Sequence, residues 1–227
     1  MCSSDLWGNR NGLFYVLDRT SGKFLLGKPF VKVTWLKGFD ENGKPTKVPE
    51  AASNREGTLI YPGNQGGTNW YNPAYSPSTG LFYIPAWEDY SSLFVKQDAE
   101  YVKGQQFGGG GPRNVTPPVV AGNFNYRKDG EQYGVVRAID PKTGEKKWDF
   151  PMSDVTDAGI MTTASNVLFS GGREGYFFAL DARNGKLLWR AQLGARVTSG
   201  PMTYMINGRQ YVAVCAGNSL FVYALRQ

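Results

Sequence analysis

The feature that most constrains this chain is that it repeats itself. The run Ala138-Ile139-Asp140-Pro141-Lys142-Thr143-Gly144-Glu145-Lys146-Lys147-Trp148 returns 41 residues later as Ala179-Leu180-Asp181-Ala182-Arg183-Asn184-Gly185-Lys186-Leu187-Leu188-Trp189. A third copy, Val16-Leu17-Asp18-Arg19-Thr20-Ser21-Gly22, carries Leu26 where the tryptophan falls. A partial fourth, Phe221-Val222-Tyr223-Ala224-Leu225, stops before the turn. In each full copy an apolar strand delivers an Asp into a turn, where its carboxylate accepts backbone N–H bonds. The glycine that follows takes a backbone conformation closed to most residues. The next strand then begins, and its Trp packs on the neighbouring unit. A period of about 40 residues with about four strands per unit is the arithmetic of a β-propeller.

The strand pattern agrees. Tyr176–Leu180, Lys186–Arg190, Met202–Ile206 and Gln210–Cys215 are short and β-prone, with turns such as Ile206-Asn207-Gly208-Arg209 between them. Thr58–Tyr61 and Gly80–Pro85 read as strands inside a less regular region, residues 30 to 130, and no long helix is expected. The 29 glycines and an aromatic share of 14% suit short strands and tight turns. Phe107-Gly108-Gly109-Gly110-Gly111-Pro112-Arg113 is a loop by composition. No Lys-Ser/Thr follows its glycines, so it reads as a surface excursion and not as a phosphate cradle.

Composition removes several functions. The chain has no histidine, which excludes a Ser-His-Asp triad, a His-ligated zinc and a Cys-x-x-Cys-His haem site. Its two cysteines, Cys2 and Cys215, make no disulfide framework, and Cys215 in an alternating strand reads as a small core residue. The net charge of +6 is scattered over residues such as Lys142, Lys146, Lys147, Arg183 and Lys186, a solvated face with no nucleic-acid motif. No segment is apolar and long enough to span a membrane. Asp140 and Asp181 occupy equivalent turns of adjacent units, too far apart to serve as a general acid and base. Met1-Cys2-Ser3-Ser4-Asp5-Leu6 has no natural lead-in, and Cys-Ser-Ser-Asp-Leu matches a common sequencing-adapter sequence read in frame. Residues 1–6 are therefore expected to be a non-native leader and residues 7–227 the propeller.

The Ala-x-Asp-x-x-Thr-Gly-x-x-x-Trp unit resembles the tryptophan-docking motif of eight-bladed quinoprotein propellers. Three further segments resemble pyrroloquinoline-quinone (PQQ)-dependent methanol/ethanol-type alcohol dehydrogenases. These are Asn9 to Thr20 (Asn-Arg-Asn-Gly-Leu-Phe-Tyr-Val-Leu-Asp-Arg-Thr), Gly66-Gly67-Thr68-Asn69-Trp70-Tyr71-Asn72-Pro73, and Asp157-Ala158-Gly159-Ile160-Met161-Thr162-Thr163-Ala164. Trp35 to Pro49 adds a Trp-x-x-Gly-x-Asp…Gly-x-Pro stretch, and the segments run in family order from about residue 7 to 227. The resemblance implies an all-β fold, a partial β-propeller of about three to four four-stranded blades from the C-terminal part of an eight-bladed one. It implies PQQ-dependent oxidation of a primary alcohol to an aldehyde, with electrons passed to a separate cytochrome c in the periplasm. Non-enzymatic propeller scaffolds or assembly factors carry looser versions of the repeat, and quinoprotein sugar dehydrogenases form a third alternative.

For the site, the resemblance places Arg10 on the quinone oxygens, where a fixed cation stabilises developing charge. It places Asn69 as an amide meeting the cofactor edge, able to donate and accept, and Trp70 as a wall of the pocket. Asp157, Ala158 and Gly159 fall in a stretch that lines the funnel above the quinone in relatives. Relatives often have Trp or Asn where Asp157 stands, and Gly159 would keep the backbone close. The catalytic Asp base, the ligands of a Ca²⁺ or lanthanide Lewis acid, the vicinal cysteine pair and the tryptophan floor all map upstream. No catalytic or metal residue is therefore expected in this segment. Its partners would be the alcohol, the cytochrome and the missing N-terminal blades, and alone it is expected to be inactive.

Overall fold

A computed structural model describes residues 4–96, 98, 100–105 and 132–225. The glycine-rich run from Phe107 to Arg113 lies outside these residues. The described chain forms four antiparallel sheets joined by loops, with two small ribbons beside the first pair. Sheet one holds β1 (Ser4–Gly8), β2 (Leu13–Asp18) and β3 (Phe24–Pro29) in sequence order. Ser4, Asp5 and Leu6 pair with Asp18, Leu17 and Val16, so the strand begins inside the suspected leader. A ribbon of β4 (Leu36–Phe39) and β5 (Pro45–Lys47) and a single 3₁₀ turn (Pro49–Ala51) follow. The strand expected at Thr58–Tyr61 is β6 (Thr58–Ile60), which leaves the sheets to pair with a later strand, Ser92–Phe94.

Sheet two is β7 (Ala74–Ser76), β8 (Leu81–Glu88), β10 (Tyr133–Asp140) and β11 (Glu145–Pro151), with β9 (Ser92–Phe94) in the excursion between its second and third strands. Sheet three is β12 (Met161–Thr162), β13 (Val167–Gly171), β14 (Tyr176–Asp181) and β15 (Leu187–Gln192). Sheet four is β16 (Met202–Ile206), β17 (Arg209–Ala216) and β18 (Ser219–Tyr223). The four sheets match the expected partial propeller of three to four blades. Among the described residues the one helical turn is three residues long, and no helix is long and apolar enough to cross a membrane.

The sheets stack face to face, so an inner strand is buried on both sides. In β10, Val135 and Ile139 pack with Phe14, Phe30, Phe82 and Ile84 towards sheet one. The alternate residues Val136 and Ala138 pack with Leu168, Phe178 and Leu180 of sheet three. Sheets three and four meet through Phe177, Val214, Ala216 and Phe221. This is why β10 reads as a continuous apolar run broken only by Arg137. That arginine is 6% exposed and reaches Glu88 at 2.7 Å, Asp149 at 2.8 Å and the Phe30 carbonyl.

The repeated turns work as the spacing implied. Asp18, Asp140 and Asp181 accept the backbone N–H of Thr20, Lys142 and Arg183 at 2.9 to 3.0 Å. Gly144 and Gly185 have φ of +69° and +75°. They also leave room for the neighbouring sheet. A methyl group on Gly185 would sit 2.6 Å from the Trp148 ring, and one on Gly144 would sit 3.1 Å from Leu26. Trp148 Nε1 donates to the Ala182 carbonyl at 3.1 Å, tying sheet two to the turn of sheet three. Cys215 corrects one expectation: it is exposed. In β17, Val212, Val214 and Ala216 face sheet three, so Cys215 points to the other side with Met202, Leu220 and Val222, which are 57%, 66% and 46% exposed.

Candidate functional site

The strands run so that Asp18, Asp140 and Asp181 all end up at one end of the sheets. The opposite end gathers the turn before β2, the loop before β7, the loop after β11 and the turn before β14. All the site residues expected from the sequence lie at this second end.

Arg10 sits at the tip of a tight turn. Asn9 Oδ1 accepts the Asn11 N–H at 2.9 Å, and Asn11 Oδ1 accepts the Leu13 N–H at 3.0 Å. Gly12 has φ +91° and lies against Val33 and Pro62, where a side chain has no room. The Arg10 guanidinium is held by main-chain carbonyls: Nε donates to Gln65 O at 3.2 Å, and Nη2 donates to Asn64 O. Gly66, at φ +86°, makes this possible, since a Cβ there would lie 2.2 Å from Arg10 Cγ. Among the described residues Arg10 has no carboxylate partner.

Asn69 shares the same anchor. Its Nδ2 donates to Gln65 O at 3.2 Å, and its Oδ1 accepts the Trp70 N–H at 3.0 Å. The structure therefore brings Arg10 and Asn69 onto a single carbonyl. Trp70 is 70% exposed, and its ring lies 4.8 Å from that of Tyr71. Arg10 also lines an open cleft of about 1190 Å³ with Asn9, Asn11, Trp35, Ile60 and Phe94.

The three residues from 157 to 159 do three different things. Asp157 accepts the Tyr71 hydroxyl at 2.7 Å and binds Arg173 through both its oxygens, at 2.5 and 3.0 Å. Ala158 is fully buried among Phe177, Val197, Val214 and Ala216, so its methyl group faces the core and not a ligand. Gly159 does keep the backbone close, but to Asn72: a Cβ would fall 1.9 Å from Asn72 Oδ1. Asn72 then clamps Ile160 through Nδ2 to Ile160 O at 2.8 Å and Ile160 N to Asn72 O at 2.9 Å.

Behind the site stands an aromatic shelf of Tyr71, Trp87 and Tyr90. Trp87 Nε1 donates to Thr156 O at 2.5 Å, and the Arg173 guanidinium lies 5.3 Å from the centre of the Trp87 ring. Burial pushes the Tyr71 hydroxyl well above its ordinary pKa, and the Asp157 carboxylate adds to this. Burial also raises that of Tyr90, whose hydroxyl donates to Asn64 Oδ1 at 2.6 Å. Both phenols stay protonated at neutral pH. The sequence reading missed Gln65, Tyr71, Trp87, Tyr90 and Arg173. Arg173 lies in an ordinary-looking turn, Gly171-Gly172-Arg173-Glu174-Gly175, and its contacts with Asp157 and Trp87 mark it.

Comparison with known proteins places this arrangement. The β-propeller domain model for glucose/ethanol/alcohol dehydrogenases of the PQQ group matches residues 151–212. Quinohemoprotein alcohol dehydrogenase from Comamonas testosteroni is 37% identical over 209 residues, covering 92% of this chain. The crystal structure of that enzyme superposes with a TM-score of 0.79 at 32% identity over 94% of this chain. The chain belongs to the PQQ-dependent alcohol dehydrogenase family. Another relative, 1-butanol dehydrogenase (cytochrome c) from Thauera butanivorans, is 35% identical over 92% of this chain. A europium-containing methanol dehydrogenase of the same fold gives a TM-score of 0.77 at 29% identity over 93% of it. The chain spans 29% and 30% of the two curated relatives and 32% and 36% of the two solved chains.

The residues present fit a quinone. Arg10 offers a fixed cation with no carboxylate partner among the described residues, Asn69 an amide beside it, and Trp70 an open indole face. No comparable fit exists for a metal ion: among the described residues no group of three or more His, Cys, Asp or Glu side chains comes together.

Proposed function

We propose that this chain forms the part of a periplasmic PQQ-dependent alcohol dehydrogenase that presents Arg10, Asn69 and Trp70 to the cofactor. The whole enzyme oxidises a primary alcohol to its aldehyde and passes the electrons to a cytochrome c. PQQ, when bound, supplies the electron-accepting ortho-quinone. Arg10 holds a positive charge against the quinone oxygens, and it stabilises negative charge that develops there. The carbonyls of Asn64 and Gln65 fix that guanidinium in advance, so little reorganisation is needed. Asn69 orients the ring edge from the same anchor, and Trp70 offers a face to stack on. Asp157 acts through Tyr71 and Arg173, while Ala158 and Gly159 support the loop from behind. The base and the Ca²⁺ or lanthanide ligands come from the rest of the full-length protein, as do the blades that cover the bare face of sheet four.

The observation that carries this reading is the Arg10 cation, which no carboxylate among the described residues neutralises and which Asn69 accompanies on one carbonyl. A propeller scaffold has no use for such a group. In the full-length apo-protein, Arg10→Met should weaken PQQ binding at least about ten-fold, as loss of a charge-assisted hydrogen bond does. Unchanged affinity would overturn the assignment. Residues 1–227 alone should show no alcohol turnover and no micromolar PQQ binding; micromolar binding by the segment would refute this.

A further inference from the structure

The Asp157–Arg173 pair stands out from the other ion pairs near the site. Its side chains are only 14% and 18% exposed. The pairing is two-pronged, and Asp157 also accepts the Tyr71 hydroxyl, so both carboxylate oxygens are engaged. Arg173 lies over Trp87, and Tyr71 stacks on that same ring at 6.1 Å between centroids. Burying an ion pair is costly and is a weak way to brace a loop. A hydrogen bond from Tyr71 to a neutral amide would brace it as well.

We propose that Asp157 masks Arg173 so that the cofactor end presents one net cation, Arg10, in place of two. This inference rests on the cofactor reading above and deepens it: the pair sets the strength with which the site attracts an anionic quinone carrying carboxylates. The fields of Arg10 and Arg173 both reach the hydroxyls of Tyr71 and Tyr90, so the two guanidinia act on one shelf. Arg173 and Asp157 are positioning and charge-setting residues, and neither needs to touch the ligand.

The signs of the expected effects are opposed, which a bracing role cannot reproduce. Asp157→Asn keeps an oxygen for the Tyr71 hydroxyl and removes the carboxylate bound to Arg173, leaving Asp154 as the other negative charge acting on it. Arg173→Met leaves Asp157 as an unpaired anion. PQQ affinity of the full-length apo-protein, measured by equilibrium ultrafiltration, should tighten roughly three- to ten-fold in Asp157→Asn and weaken by a similar factor in Arg173→Met. The double variant should return to within about two-fold of wild type, and raised salt should compress all the differences. Arg173→Lys, which keeps the charge and loses the two-pronged geometry, should stay near wild type. It also serves where the Met variant does not fold. Weakening in Asp157→Asn, or a loss in Arg173→Lys as large as in Arg173→Met, would show a brace and overturn the proposal. Failure of the wild-type protein to bind PQQ would instead remove the cofactor reading, and this inference with it.

Discussion

Asp181 and Asp157 are both well-shielded aspartates bound to an arginine, at opposite ends of the sheets. Asp181 uses its carboxylate within its own turn, on the Arg183 backbone at 2.9 Å and the Arg183 side chain at 2.7 Å. Asp157 reaches Tyr71, 86 residues away, and Arg173 in the next turn but one. The first arrangement can be repeated in every blade because it needs only its neighbours in sequence. Among the described residues the second exists once, because it needs loops from two sheets to converge. One end of the molecule is therefore devoted to making blades, and the other to making a site.

The largest expected effect lies between the two ends. Arg137 is buried and compensates both Glu88 and Asp149, so Arg137→Met strips Glu88 of its ion pair and leaves Asp149 with Lys146 alone. The full-length protein should lose about 3–5 kcal/mol of unfolding free energy in a urea titration. A loss under about 1 kcal/mol would break the view that both ends depend on a shared middle. Next is Trp148→Ala at the blade-making end, which removes the ring that rests on Gly185. It should cost about 2–3 kcal/mol, less than full burial would give because the ring is partly exposed. PQQ affinity should stay within about two-fold of wild type, since the change lies far from Arg10; a large fall in affinity would blur the division.

The smallest effect concerns acid. The hydrogen bonds within their turns hold Asp18 and Asp181 at a pKa of about 2, below the ordinary carboxylate value, through Thr20 and Ser21 in one case and Arg183 in the other. The folded state thus binds these protons later than the unfolded chain does. The stabilisation is complete above the ordinary carboxylate pKa of about 4 and is lost as pH falls through about 2. Asp181→Asn should flatten the fall of melting temperature across that window. An unchanged or steeper fall would show that the turn does not hold the charge.

The same contrast explains what the sequence revealed. In the two copies that carry a tryptophan, the Asp, Gly and Trp lie within nine residues of one another, so strands, turns and packing rings could be read from one line of text. Arg10 and Asn69 came forward as candidates through family resemblance. Their common anchor at Gln65 did not, because a backbone carbonyl leaves no mark in composition. Tyr71 and Arg173 were missed for a related reason: a contact across two sheets has no local signature. Cys215 was misread because alternation tells which residues share a face, not which face is covered.

The central claim is that the Arg10 guanidinium and the Asn69 amide meet the quinone from their shared carbonyl. A structure of the full-length protein with PQQ bound tests it most directly. The expected result is an Arg10 nitrogen within about 3 Å of a quinone oxygen, with the Asn69 amide on the same ring. A quinone lying elsewhere, with Arg10 turned to solvent or to a carboxylate, would contradict it.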